Sequence, residues 1–381
     1  MPTDYSSIKN QYDSLSNIPK PSFHGYSPDY DKIFEIASKY SNTKNFIILG
    51  RGGSVTGIKT IFGALAKFVT SKKVFVIDTI DPEYINYIKR ICKPEDSVVV
   101  AISKSGNTID VLENLFCFQN YTKIIVAQGG TLRELAKNNE LEFISHPEIG
   151  GRFSSGTESA LLVASMIFID IKQIVSGMNN FYNDKKNLEK AKRLSSSLFI
   201  AEKQGYEEVY APVYSEALSE SCELFTQLMH ESVCKQGQGQ TFLFMRGPEC
   251  QHHSNQRYFD GKKNILGLFT IVDNSREEIS LEVDYKFSDM SVKGFELKIL
   301  NGEKLQEALK HEYSGVKKHS DELKIPNATI IIDKITPFSL GELIGLWNYT
   351  AVYSSYLRGV DPFNQPGVED SKNISIEERK K

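Results

Sequence analysis

Ser97–Thr108 reads SVVVAISKSGNT, a run of β-branched and small apolar residues that gives way at once to lysine, serine, glycine, asparagine and threonine. A short β-branched run bounded by small polar residues reads as a buried strand, and the amphipathic pattern IDVLENLFCF after it reads as a helix. The same unit recurs on both sides. Asn45–Gly50 (NFIILG) enters RGGSVTG and an apolar-periodic stretch through Ile58–Phe68, Val74–Asp78 (VFVID) is a further strand, and Lys123–Ala127 (KIIVA) precedes QGGTLRELAK. Strands alternating with helices predict a mostly parallel, doubly wound α/β sheet.

Further along, Asn179–Lys192 (NNFYNDKKNLEKAK) is polar and charged, a natural place for the chain to leave its first unit. Beyond it, Glu208–Tyr214, Ile265–Val272 and Ala328–Asp333 read as strands, with helical patterns at Glu216–Cys234 and Glu303–His311. Ser339–Arg358 has apolar residues at helical spacing with Pro337 just before it and Gly359 just after, which predicts a long, largely buried helix. The tail after Lys372 (NISIEERKK) is polar and reads as frayed. The division expected is a segment 1–44, a first α/β unit 45–178, a second 179–336, and a C-terminal helix and tail 337–381.

The 381 residues support two domains at roughly 150 residues each. Lys plus Arg is 45 and Asp plus Glu 48, a net charge of −3, which lacks the cationic excess of a general nucleic-acid or anionic-membrane binder. With 40% hydrophobic and 24% charged residues the composition is globular and not disordered. No run of about 18 apolar residues and no secretory leader is present, so a cytoplasmic protein without a membrane partner is expected. Five cysteines with no CxxC pair suggest neither a disulfide framework nor a structural zinc site.

Several places carry candidate chemistry. The loop Ser103-Lys104-Ser105-Gly106-Asn107-Thr108 puts hydroxyls, backbone N–H groups and an ammonium at a helix N-terminus, an arrangement suited to an anion. GxxxxGK[ST] is absent, so a phosphate monoester is favoured over a nucleoside triphosphate; an ordinary Ser/Thr cap is the structural alternative. Ser54, at the first strand-to-helix loop, faces the same crevice in such a sheet. Gly150-Gly151-Arg152 lets backbone approach a ligand while a guanidinium reaches an oxyanion, although a glycine turn with a solvated arginine has the same spelling. Gln227 and Glu231 stand at i and i+4 and share one helix face, which a solvated face would do equally. Adjacent His252 and His253 point in different directions, so a two-histidine metal site is disfavoured and one acid–base histidine is the better functional reading. Asn364–Lys372 (NQPGVEDSK) carries a Pro-Gly turn that can return a lysine to a pocket.

Taken together, AISKSGNT, HPEIGGRFSSG, FTQLMHES, QHHSNQRYFDG and DPFNQPGVEDSK, in this order over roughly residues 45–372, resemble the glucose-6-phosphate isomerase family, built from two sugar-isomerase (SIS) domains. The resemblance implies two doubly wound, mostly parallel-sheet SIS domains completed by the C-terminal helix and tail. It places the phosphate loop on Ser103, Lys104, Ser105 and Thr108 with Ser54, the arginine beside the reacting carbons on Arg152, and the proton-shuttling base on Glu231 with Gln227 as its neighbour. Gln365 precedes the Pro-Gly turn. His252 is favoured over His253 as the ring-opening histidine, with Lys372 as its companion. Three positions depart from the pattern: Arg51 for an aliphatic residue, Asp110 for a glutamate and Ser371 for a glycine.

The implied reaction interconverts glucose 6-phosphate and fructose 6-phosphate through a cis-enediol, with no cofactor or metal, in a homodimer whose histidine enters from the neighbouring subunit. A bifunctional glucose/mannose-6-phosphate isomerase is the nearest rival, and Gln227, where that group usually carries a smaller residue, argues against it. A non-catalytic sugar-phosphate sensor is the rival from another class. Joint retention of Glu231, His252 and Lys372 argues against it.

Overall fold

The computed structural model describes residues 1–381. Its first sheet holds β1 (Asn45–Leu49), β2 (Lys73–Ile77), β3 (Ser97–Ser103), β4 (Thr122–Ala127) and β5 (Glu142–Ser145) in the order β2-β1-β3-β4-β5. Every pairing is parallel. β1 and β3 are buried at every residue, because helices cover both faces of such a sheet and leave no side for polar alternation. Helix α1 (Gly53–Leu65) follows β1 and α2 (Ile109–Cys117) follows β3. The chain winds outward in both directions from β1, so the crevice at the carboxyl ends of β1 and β3 is the switch point at which open α/β sheets take ligands.

After two long helices, α3 (Ile171–Asn183) and α4 (Lys185–Lys203), the second sheet is built from β6 (Glu208–Tyr214), β7 (Thr241–Arg246) and β8 (Ile265–Asn274). α5 (Ser221–Val233) joins β6 to β7 and α6 (Gln251–Asp260) joins β7 to β8. A small antiparallel hairpin, β9 (Ser291–Val292) with β10 (Phe295–Glu296), precedes the last strand, β11 (Asn327–Lys334). The order β7-β6-β8-β11, again all parallel, repeats the winding of the first four strands.

The two equivalent helices, α1 and α5, pack on each other and run in opposite directions. Thr56 Oγ1 meets Gln227 Oε1 at 3.0 Å, Lys59 Nζ meets Glu223 at 2.7 Å, and Lys67 Nζ meets Glu220 at 2.8 Å. Gly63 keeps the contact close, since a Cβ there would lie 2.6 Å from Glu220 Cγ.

The long C-terminal helix forms as its punctuation predicts. α7 (Pro337–Leu357) starts in a Thr336/Ser339 capping box with proline in the first turn, which satisfies otherwise orphaned N–H groups, and Gly359 follows its end at φ +68°. Trp347 on α7 is fully buried and stacks on Phe225 of α5 at 5.0 Å between ring centres. Gly341 allows α7 to approach α3 so closely that a Cβ would collide with the Ile174 carbonyl.

The polar stretch Asn179–Lys192 is helical. Asp184 ends α3 and its side chain accepts from Lys186 N at 2.7 Å, capping α4. The tail is a correction to the sequence reading. Glu369–Arg379 is a helix, α8, and not a frayed end. It buries no residue, so no apolar stripe announced it, and ion pairs hold it: Arg379 Nε lies 2.7 Å from Glu113 and Nη2 3.2 Å from Asp110, both on α2. No helix is long and apolar enough to cross a membrane.

Candidate active site

The phosphate-loop candidate occupies the carboxyl end of β3 beside the switch point. Ser103 Oγ and Thr108 Oγ1 are 2.8 Å apart, and the Gly106 amide donates to Ser103 Oγ at 3.1 Å. Thr108 stands at the N-cap of α2, yet its side chain makes no cap hydrogen bond. The Val111 amide is bonded to the Thr108 carbonyl at 3.1 Å, while the side chain leaves the Ile109 and Asp110 amides uncapped, the condition under which a helix N-terminus receives an anion. Ser105 is exposed, and its Oγ accepts from the Asn107 amide at 3.2 Å. Gly106 sits at φ +70°, and a Cβ there would collide with the Gly129 carbonyl. Lys104 and Ser54 are half-buried at the same edge.

Arg51, Asp110 and Arg379 form one charged chain at the rim. Arg51 pairs with Asp110 through Nη2 and donates from Nη1 to the Asp78 carbonyl at 2.6 Å. Two of the three departures from the family pattern therefore neutralise each other, and Asp110 also receives Arg379.

The glycine loop between β1 and α1 links this anion site to a second cluster. Gly53 lies against the turn at Gly151, where a Cβ would collide with the Gly151 carbonyl carbon and the Arg152 amide. That contact seats Arg152 deep in the protein, 3% exposed. Its five N–H groups are all engaged. Nε donates to Ser232 Oγ at 2.8 Å, Nη1 to Glu231 Oε2 and Gln365 Oε1 at 2.9 Å each, and Nη2 to the carbonyls of Pro362 at 2.6 Å and Asn364 at 3.0 Å. Burial pushes the guanidinium pKa down while the Glu231 carboxylate opposes that shift; a guanidinium stays charged in either case.

Glu231 Oε1 accepts from Gln227 Nε2 at 2.9 Å, and Gln227 is held from behind by Thr56. Both carboxylate oxygens are thus oriented by fixed donors, while the Glu231 side chain keeps 28% exposure toward the crevice. A carboxylate fixed by a charged and a neutral donor, open on one side and set beside an anion loop, is equipped to take a proton from a bound phosphate ester.

Arg152, Glu231, Gln227 and Gln365 come together in one cluster, and Ser103, Lys104, Ser105, Thr108 and Ser54 gather at the neighbouring edge. The remaining candidates lie elsewhere in the single chain. His252 and His253 are exposed on α6, with His253 Nδ1 2.7 Å from Ser254 Oγ. Lys372 points along α8 to Glu369 at 3.1 Å. Thr56 and Ser232 are site residues that the sequence reading did not single out. No group of three or more His, Cys, Asp and Glu side chains is placed to hold a metal ion.

No family model matches the chain. Over 367 residues it is 28% identical to a probable glucose-6-phosphate isomerase of Methanococcus maripaludis, covering 91% of this chain and 81% of that protein. Over 363 residues it is 26% identical to a glucose-6-phosphate isomerase of Methanocaldococcus jannaschii, covering 91% and 86%. Along nine-tenths of its length the chain is similar to glucose-6-phosphate isomerases. Solved structures share the fold. A hypothetical protein of Thermus thermophilus superposes with a TM-score of 0.84 at 23% identity, over 98% of this chain and 95% of that one. A glucose-6-phosphate isomerase of Chlamydia trachomatis superposes with a TM-score of 0.75 at 16% identity, over 97% and 78%. The residues that carry the resemblance to glucose-6-phosphate isomerases lie on the loops at the carboxyl edges of the sheets and on α5, α6 and α8.

Proposed function

We propose that the chain interconverts glucose 6-phosphate and fructose 6-phosphate, with Glu231 as the base that carries a proton between C1 and C2 through a cis-enediol. The observation that supports this most is the Gln227–Glu231–Arg152 chain of hydrogen bonds beside the uncapped start of α2. The phosphate would dock on Ser103, Lys104, Ser105 and Thr108 with Ser54, which leaves the far end of the sugar over Glu231. The base removes the C2 proton, negative charge grows on the adjacent oxygen, and Arg152 stabilises it as a fixed cation. Preorganised charge of this kind costs no rearrangement at the moment of reaction. Transfer of the O2 hydroxyl proton to O1 and return of the carbon-bound proton to C1 complete the aldose-to-ketose conversion without oxidant or reductant.

Ring opening needs an acid–base pair, and His252 with Lys372 fit that role by resemblance. The exposure of His252 accords with a homodimer in which it serves the neighbouring subunit.

The test is a coupled assay of fructose 6-phosphate formation on wild type and Glu231→Gln. The amide keeps the shape of the side chain but cannot take a carbon-bound proton, so turnover should fall by about 10²–10⁴-fold, with substrate binding by calorimetry little changed. A variant that keeps more than about a tenth of wild-type turnover would remove Glu231 from the role of base.

A further inference from the structure

Lys235 lies just beyond α5, in the turn that reverses the chain into β7. The Gln238 amide donates to the Lys235 carbonyl at 3.0 Å, and Gly239 takes φ +103° where a Cβ would lie 2.8 Å from Cys234 Cα. The turn is tied to the core from two sides. The Gly239 amide donates to Glu202 Oε1 at 2.8 Å, and Gln238 Nε2 donates to the Arg358 carbonyl at 3.1 Å. Glu202 in turn receives Arg358 Nε at 2.7 Å. With its backbone held in this way, the half-buried Lys235 reaches across to the next segment, and its ammonium donates to the carbonyl of the exposed Asp361.

That carbonyl begins the segment that holds Arg152. Pro362 and Asn364 accept from its Nη2, and Gln365 accepts from its Nη1. Two cations therefore grip the one segment 361–365, and one of them also contacts the base. The charged and titratable groups around Lys235 are Arg152 from the Gly151 turn, Glu231 and Cys234 from α5 and its end, and Asp361 from the segment itself. Burial pushes the Lys235 ammonium down to about 8 and Arg152 adds to that shift, whereas Asp361, Glu231 and Cys234 oppose it.

We propose that Lys235, as an ammonium, is a positioning residue for the isomerisation: through Asp361 it fixes the 361–365 segment, and through that segment it keeps Arg152 on Glu231. The inference rests on the reading of Glu231 and Arg152 as the reacting centre. A hydrogen bond from an ammonium is roughly twice as strong as one from a neutral amine, so losing the proton loosens the segment. It also removes one positive charge from the neighbourhood of the developing enediolate.

The experiment measures kcat and KM from about pH 6 to 10 for wild type, Lys235→Arg and Lys235→Met, with melting temperatures alongside. The wild-type kcat should decline on the alkaline side around the pH at which Lys235 deprotonates, about 8. Lys235→Arg should hold neutral-pH turnover within about threefold and move the decline upward, because a guanidinium does not deprotonate in this range. Lys235→Met should lose about ten- to a hundredfold in kcat with KM changed by less than about threefold, since the phosphate is held on another loop. An alkaline decline that stays unchanged in Lys235→Arg, or a Lys235→Met that keeps wild-type kcat, overturns the role of Lys235 while leaving the isomerase reading intact. A well-folded wild type that forms no fructose 6-phosphate overturns the reading of the site, and this inference with it.

Discussion

With all of its N–H groups bonded to protein, Arg152 would act in the proposed reaction through its charge, and the proposed grip on the phosphate falls to the hydroxyls of the β3–α2 loop. Ser105→Ala with Thr108→Ala should therefore raise KM for glucose 6-phosphate more than it lowers kcat. Each hydrogen bond to a charged group is worth about 1.5–3 kcal/mol, so the pair should cost on the order of tenfold to several hundredfold in kcat/KM, allowing for non-additivity. Inorganic phosphate should compete with substrate in the wild type and compete less in the variant. Unchanged KM and unchanged phosphate inhibition would place the anion elsewhere. At this scale the sequence was informative where a residue sits in a distinctive phrase: Arg152 behind two glycines, and Gln227 and Glu231 one helical turn apart. Thr56 and Ser232 carried no such mark. A hydroxyl in mid-helix is unremarkable until the fold shows that Thr56 backs Gln227 and that Ser232 receives Arg152 Nε. Lys235 was missed for a related reason, since its partner is a backbone carbonyl 126 residues away.

Among the elements, the contact between α1 and the Gly151 turn decides whether the two loops of the site meet. Gly53 is where that contact is tightest, and its neighbours are backbone atoms that cannot swing aside. Gly53→Ala should cost at least about 1–3 kcal/mol, as overpacking of a well-packed contact does, read as a lower urea midpoint with an unchanged m-value. Because the displaced turn carries Arg152, turnover should fall in the fraction that remains folded. A Gly53→Ala protein with wild-type midpoint and turnover would show that α1 can shift without disturbing the Gly151 turn. Strands β1, β2, β3, β4, β6, β8 and β11 and the long helix α7 were legible because short β-branched runs and punctuated helices leave strong local patterns. α8 was not, because its order comes from charges: Lys372 to Glu369 within it, and Arg379 to Asp110 and Glu113 across to α2. The Arg51–Asp110 pair shows the same limit. Each residue alone was a departure from the family pattern, and only their meeting at the rim explains them.

At the scale of the whole molecule, the repeated winding of the two sheets follows from strand and helix order, but a single chain does not bring His252 to Glu231. The segment between β8 and β11 exposes Tyr285 at 81%, Ile299 at 68% and Met290 at 56%, large apolar side chains of the kind an interface covers. If two copies share their sites, a subunit lacking the base and a subunit lacking the histidine should rescue each other. Glu231→Gln and His252→Ala homodimers would each be nearly inactive. Unfolded together and refolded, or co-expressed, they would form hybrids with one intact site and one doubly defective site. Random pairing makes half of the dimers hybrid with one good site of two, so activity should return to about a quarter of wild type. Mixing the same variants as monomers with self-contained sites would restore nothing. Substituting His253→Ala for His252→Ala in the cross separates the two histidines, because only the one that enters the partner's site yields an inactive homodimer to be rescued. Sedimentation of the wild type across the assay concentrations must show a dimer, and full specific activity in a verified monomer would place every catalytic group in one chain.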